Sequence, residues 1–161
     1  MSEQKLDKLF LVGYQAKSIT NMHGCYGYVF FKDKEIIQHS EAFLGCSDYQ
    51  AILKGLLHYC KNYMDEEATT SVYCNTRAFI DCVSGVFSRS YEDHLTDDRG
   101  KKISNSELLD EIYHEVKAKL ADLFFFHQKI DNLEPLKKAR LLAEKTAKNT
   151  YEFSSPIGTE R

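Results

Sequence analysis

What this chain lacks narrows its function before any motif is read. It has no basic excess: 21 Lys and Arg stand against 24 Asp and Glu, a formal net charge of −3. Binding nucleic acid through net charge is thereby excluded, and such a role would have to rest on a local patch. The five cysteines (Cys25, Cys46, Cys60, Cys74, Cys82) are odd in number and never spaced C-x-x-C. That argues against a disulfide framework and for free thiols in a reducing compartment. No apolar run approaches the ~20 residues that would cross a bilayer. The opening MSEQKLDKLF has no long apolar stretch behind a basic start, so a cytoplasmic protein without membrane contact is expected. The six histidines (His23, His39, His58, His94, His114, His127) fall on different segments without ligand spacing, and no metal or other cofactor is expected from them.

What is present is an ordinary globular composition, 43% hydrophobic and 28% charged over 161 residues, enough for one domain with a sizeable core. That domain is expected over residues 1–150. The tail 151–161, YEFSSPIGTER, has no periodicity and is expected to be mobile.

LFLVGYQA, CYGYVFFKD and EIIQHSEAF are β-rich and separated by short polar turns, which predicts an antiparallel three-strand meander. The period then becomes helical. Tyr49, Ile52, Leu53, Leu56, Cys60 and Tyr63 share a face, and Ser47 with Gln50 forms a capping-box pattern before them. A fourth strand is expected over Ser71–Cys74, followed directly by a helix with Phe79, Cys82, Val83, Val86 and Phe87 inward. Ser104 and Glu107 form a second capping-box pattern for a helix with Leu108, Ile112, Val116 and Leu120 inward. DLFFFHQKI reads as a fifth strand with Phe124 and Phe126 on one face. Pro135 suits the first turn of a last helix that buries Leu136, Ala139, Leu142, Ala143 and Ala147. The order βββαβααβα implies a mixed five-stranded α/β sheet, its first three strands antiparallel, flanked by helices.

VYCNTRAFIDCV, residues 72–83, passes from strand to helix through Asn75. Many α/β enzymes place a catalytic carboxylate at such a turn. Here it is an amide, free to cap the next helix instead.

Four stretches in this order resemble the ribonuclease H family. CYGYVFF is similar to its second strand, YCNTRAFI to its fourth strand and turn, GKKISNSELLDEI to the approach to its third helix, and KKARLLAEKTA to its final helix. The resemblance spans about residues 8–149. It implies a ribonuclease H-like fold and, in active members, carboxylates that hold two divalent metals across the scissile phosphate. At the matching positions this chain has Tyr14 (or Gly13, one residue earlier) in the first strand, Gln50 in the first helix, Asn75 after the fourth strand and Arg140 on the last helix. Ile130 stands where the family carries a mobile histidine. A phenol, two amides and a guanidinium cannot neutralise two dications, and Arg140 would put a fixed positive charge there.

The resemblance therefore implies a pseudoenzyme: a catalytically inactive module that binds a protein partner or structured RNA or DNA, in the neighbourhood of reverse transcriptases or other nucleic-acid machinery. The expected site is a polar network in which Arg140 bonds Tyr14 or Asn75, while Gln50 serves its capping box. Candidate phosphate contacts are Lys137 and Lys138 on the last helix and Lys101 and Lys102 in DDRGKK. The absence of tryptophan weakens the match to the family's Lys- and Trp-rich protrusion. The alternative is an active Mg²⁺- or Mn²⁺-dependent nuclease of RNA–DNA hybrids with a rearranged acidic site using Asp48, Asp81, Asp131 or Glu134. A third possibility is an oligomerising subunit that uses its apolar strand edges and the Phe124–Phe126 surface.

Overall fold

The computed structural model describes residues 6–17, 22–89, 95–97 and 99–154, with side chains as far as residue 149. Ten elements follow in chain order: β1 (Leu6–Lys17), β2 (Met22–Lys32), β3 (Glu35–Leu44), α1 (Asp48–Asn62), β4 (Thr69–Cys74), α2 (Arg77–Ser88), α3 (Ser106–Ala118), β5 (Asp122–His127), a 3-10 turn (Ile130–Asn132) and α4 (Glu134–Ser154). The strands form one sheet in the order β3-β2-β1-β4-β5. β1, β2 and β3 pair antiparallel, whereas β4 joins β1, and β5 joins β4, in parallel. The expected mixed five-stranded sheet is thus the one observed.

Alternation along β1 divides the helices between two faces. Leu9 and Leu11 point into the main core with Ile52, Leu56, Phe79, Val83, Leu109 and Ile112 of α1, α2 and α3. Phe10 and Val12 point the other way, against Leu136 and Ala139 of α4. A period of two residues on a strand forces this division. α4 lies close enough to β2 that a Cβ on Gly27 would stand 2.2 Å from the Ala139 carbonyl oxygen. The small residues of CYGYVFF and of the last helix are therefore a packing device.

Several local expectations change. α3 is not opened by a Ser104–Glu107 box: its N-cap is Asn105, in the left-handed region at φ 61° and without a side-chain cap bond. Asn105 uses its amide elsewhere, as shown below. Leu120 is not inward, because α3 ends at Ala118 and Leu120 turns out with φ 54° and 75% exposure. The chain must break there to start β5 two residues later. β5 stops at His127, and Ile130 begins the 3-10 turn. α4 continues to Ser154, past the expected boundary at 150; residues 155–161 of the predicted tail lie outside those described. All five cysteines are free.

Candidate functional site

β1 and β4 run parallel, so their C-terminal ends open at the same edge of the sheet, and the last pair of their ladder is Leu11 with Cys74. Ligand sites in open α/β sheets lie beyond such ends. Three groups of residues build this edge.

The first is the contact of β1 with the start of α1. Gly13 faces α1: a Cβ built on it would meet Ile52 Cγ1 at 2.5 Å, Ile52 Cδ1 at 2.7 Å and the Asp48 carbonyl oxygen at 2.9 Å. The space in which a side chain would point is filled by Ile52, itself fully buried. Two residues on, Gln15 fastens the corner. Its Nε2 donates to the His23 and Cys46 carbonyl oxygens, both at 3.3 Å, and its Oε1 accepts from the Asp48 backbone N–H at 3.0 Å. Sequence reading missed Gln15. Its only signal was a polar residue with the same parity as the core-facing Leu9 and Leu11.

The second is the capping of α1. Gln50 N–H donates to Ser47 Oγ at 3.1 Å, and Gln50 Oε1 accepts from the Ser47 N–H at 3.3 Å. This capping box was expected, and it occupies the Gln50 carbonyl. The Gln50 Nε2 donates at 2.9 Å to Oδ1 of Asn105, the residue that begins α3. Both ends of the amide are used, and α1 is joined to α3 beside a polar cleft of about 330 Å³ lined by Gln50, Lys54, Asn105, Ser106, Glu107 and Leu108. Asn75 has a smaller part. It is not the cap of α2, whose N-cap is Thr76, and its Oδ1 accepts a long 3.5 Å bond from Thr76 Oγ1.

The third lies across the sheet. Tyr14 alternates with Gly13 and so faces α4, packing against Ala143 and Ala147. The Arg140 guanidinium sits 5.0 Å from the centre of the Tyr14 ring, within cation–π range. Its Nε lies 3.4 Å from Glu144 Oε2, an i,i+4 ion pair, and makes no hydrogen bond.

The expected single network is therefore two separate arrangements. Arg140 meets Tyr14 through the ring face rather than the hydroxyl, and among the described residues no hydrogen bond joins it to Asn75 or Gln50. The β1 position facing the helix that carries Gln50 is Gly13, not Tyr14. A one-residue change of register on a strand exchanges faces, which is why the two readings differ so much.

The candidate phosphate contacts do not form one stripe. Lys137 donates to Glu134 at 3.1 Å, while Lys138 is exposed on α4. Lys101 and Lys102 are exposed in the loop before α3, an element on the opposite face of the sheet. Ile130 is half-buried and packs against the cluster of Phe10 and Val12. Of the acidic alternatives, Asp48, Asp81 and Asp131 are exposed and Glu134 is paired with Lys137. Among the described residues they form no group of three within ligand-sharing distance.

Solved structures similar to this chain decide the architecture. The solution structure of the RNase H domain of prototype foamy virus matches with a TM-score of 0.69 at 15% identity, covering 91% of this chain and 94% of that one. The fold is that of ribonuclease H. A foamy viral protease–reverse transcriptase in complex with dsDNA matches with a TM-score of 0.71 at 11% identity, over 90% of this chain and 96% of that one. LC11-RNase H1 in complex with an RNA/DNA hybrid matches at 0.62 and 13%, over 88% and 98%. No protein-family model matches the sequence, and no curated protein matches it.

The two-metal chemistry implied by resemblance to ribonuclease H can be tested on these residues. Hard dications need several anionic oxygens at one point. Here one position is a glycine whose side-chain space is filled by Ile52. Another is an amide with both ends bonded, a third is Asn75, and the fourth is a guanidinium. The residues do not fit such a pair of metals.

Proposed function

We propose that this chain is a catalytically silent ribonuclease H-fold module that acts by binding within nucleic-acid machinery of the reverse-transcriptase kind. One observation carries the silence: the side-chain space of Gly13 beside the first turn of α1 is occupied by Ile52 and the Asp48 carbonyl. Loss of a carboxylate alone could follow from one substitution. Loss of the space it would need is built into the packing.

The binding half draws on the similar structures, two of which are described as complexes with dsDNA or an RNA/DNA hybrid, and on the exposed Lys101, Lys102 and Lys138. A protein partner is favoured by a separate observation. α4 covers β1, β2 and β3, and on that side Phe124 and Phe126 of the edge strand β5 are 52% and 44% exposed. Phe126 stacks on Tyr73 at 5.2 Å, and Tyr73 on Phe10 at 4.8 Å, so an aromatic row runs from the core to the open edge. Exposed apolar patches of this kind mark contact surfaces.

The test is a cleavage assay of a labelled RNA–DNA hybrid in Mg²⁺ and in Mn²⁺, paired with hybrid binding over a salt series. No cleavage above background is expected, and binding through phosphates should weaken linearly in log salt. Cleavage that copurifies with the chain and is lost on Asp48→Asn or Asp131→Asn would refute the silent reading.

A further inference from the structure

The six histidines show no ligand spacing in the sequence, yet folding brings two of them together. His39 and Glu41 lie two apart on β3 and so share a face. His58 comes to them from α1, and one ligand atom from each of the three falls within 4.8 Å of the others. We propose that His39, Glu41 and His58 form a binding site for a borderline first-row dication, with Zn²⁺ as the type ion.

The donor set has the right chemistry. Imidazole with a carboxylate suits Zn²⁺, Co²⁺ and their neighbours, and three protein ligands leave one position open. His58 Nε2 lies 4.0 Å from Glu41 Oε1, and His39 Nε2 lies 2.9 Å from the same oxygen, so both ring nitrogens already face the carboxylate. The surrounding groups are those that orient metal ligands. The Tyr28 hydroxyl sits 2.8 Å from His58 Nδ1, and with Nδ1–H donating to it, Nε2 is left with a bare lone pair. The Tyr26 hydroxyl donates to Glu41 Oε1 at 2.8 Å. Tyr26 and Tyr28 are fully buried, so this support is rigid.

Burial, with help from nearby His39, holds the His58 imidazole below its usual range, outweighing the opposite pull of Glu41. Its neutral, metal-competent form therefore needs no proton to be removed near neutral pH. The side chains of His39, Glu41 and His58 keep 28%, 41% and 24% of their surface exposed, which gives an ion and a completing water their access.

One rearrangement is required. The two imidazoles are stacked, with centroids 3.8 Å apart and planes 10° from parallel, and a shared ion needs lone pairs that converge in the ring planes. The rings must splay, and His39 must take the tautomer with its single proton on Nδ1, leaving the Nε2 lone pair for the metal. The site lies eight residues along α1 from Gln50, about 12 Å by helical rise. It is independent of the silent edge, and would fasten the outer strand β3 to α1.

The experiment is calorimetric titration of the full chain with Zn²⁺ and, separately, Co²⁺, followed by the visible d–d absorption of bound Co²⁺. One equivalent is expected, with affinity reduced at least about tenfold in His58→Gln and in Glu41→Gln, and by a similar factor in Tyr28→Phe, which leaves the ligands but loosens His58. His114→Gln should bind as wild type does. Absence of saturable binding, or unchanged affinity in His39→Gln/His58→Gln, overturns the site. Because these variants could fold poorly, the wild-type chain provides a second readout in the imidazole nitrogen resonances under Zn²⁺. Shifts at His39 and His58 are expected, and shifts confined to other histidines overturn the proposal.

Discussion

Replacing Gly13 by Ala is the smallest change that interrogates the silent edge, because it adds one methyl group and no charge. A glycine inside a strand ordinarily costs about 0.5–1 kcal/mol relative to alanine, so on backbone grounds alone the substitution should stabilise. The packing opposes this. The new Cβ would sit 2.5 Å and 2.7 Å from two Ile52 carbons and 2.9 Å from the Asp48 carbonyl oxygen. The Ile52 tip can rotate, but the carbonyl belongs to the first turn of α1 and moves only with the helix. Overpacking of this kind costs about 1–3 kcal/mol, and with backbone among the contacts the upper half applies. A net destabilisation of about 1–2.5 kcal/mol is expected after the strand gain is subtracted. Urea unfolding should show a lower midpoint with an unchanged slope. In an Ile52→Ala background the two closest carbons are gone and only the Asp48 carbonyl contact remains, so Gly13→Ala should cost less than in the wild-type chain, a coupling of about 1 kcal/mol. A Gly13→Ala protein as stable as wild type would refute the reasoning, because room for a carboxylate would then exist.

Arg140→Ala should cost only about 0.5–1 kcal/mol, since a cation–π contact and an ion pair, both partly solvated, are all it removes. A double-mutant cycle with Tyr14→Leu measures the ring contribution. Stability should fall as the solution is acidified, in two stages. His58 has a depressed folded-state pKa, so the unfolded chain binds its proton first and stability drops below about pH 6.5. Burial raises the pKa of Glu41, but the hydrogen bonds from His39 and Tyr26 outweigh it and hold the carboxyl below its usual value, so a second loss follows as that lower value is crossed. Urea midpoints from pH 7 down to about pH 2.5 should show both stages, with His58→Gln flattening the first and Glu41→Gln the second. Thiol labelling of the native chain should begin at the partly exposed Cys82. Burial pushes Cys25 and Cys74 up to about 11 and Cys60 up to about 12, so these should react only on unfolding, which mass spectrometry of the labelled peptides would show.

The architecture was legible because its signals are local and periodic. The change from period two in CYGYVFF to helical spacing after Ser47, and the capping box that marks it, place β2 and α1 without reference to anything distant. What failed depended on partners far along the chain. Asn105 reads as an ordinary polar residue before a helix, yet its amide is held by Gln50 across 55 positions. Leu120 fits the helical period of α3, and only the start of β5 turns it outward. The choice between Tyr14 and Gly13 could not be made from β1 alone, since parity gains meaning only once α1 and α4 are known to cover opposite faces. His39 and His58 met for the same reason: a strand and a helix supplied neighbours that no spacing rule records.

On the proposed reading, the edge beyond β1 and β4 is more than a set of deletions. Where the resemblance implies four carboxylates, this chain carries three uncharged residues and one cation, so the local charge has changed sign. The residues at this edge serve the structure instead. Gln15 joins β1 to the start of α1, Gln50 joins α1 to α3, and Arg140 lies over Tyr14. The Gln15 and Gln50 amides are bonded at both ends within the chain. Placing a carboxylate at Gly13, Gln50 or Arg140 would therefore break a packing, hydrogen-bond or cation–π contact while supplying only part of a metal site, and on the proposed reading such single substitutions should lead away from activity rather than toward it.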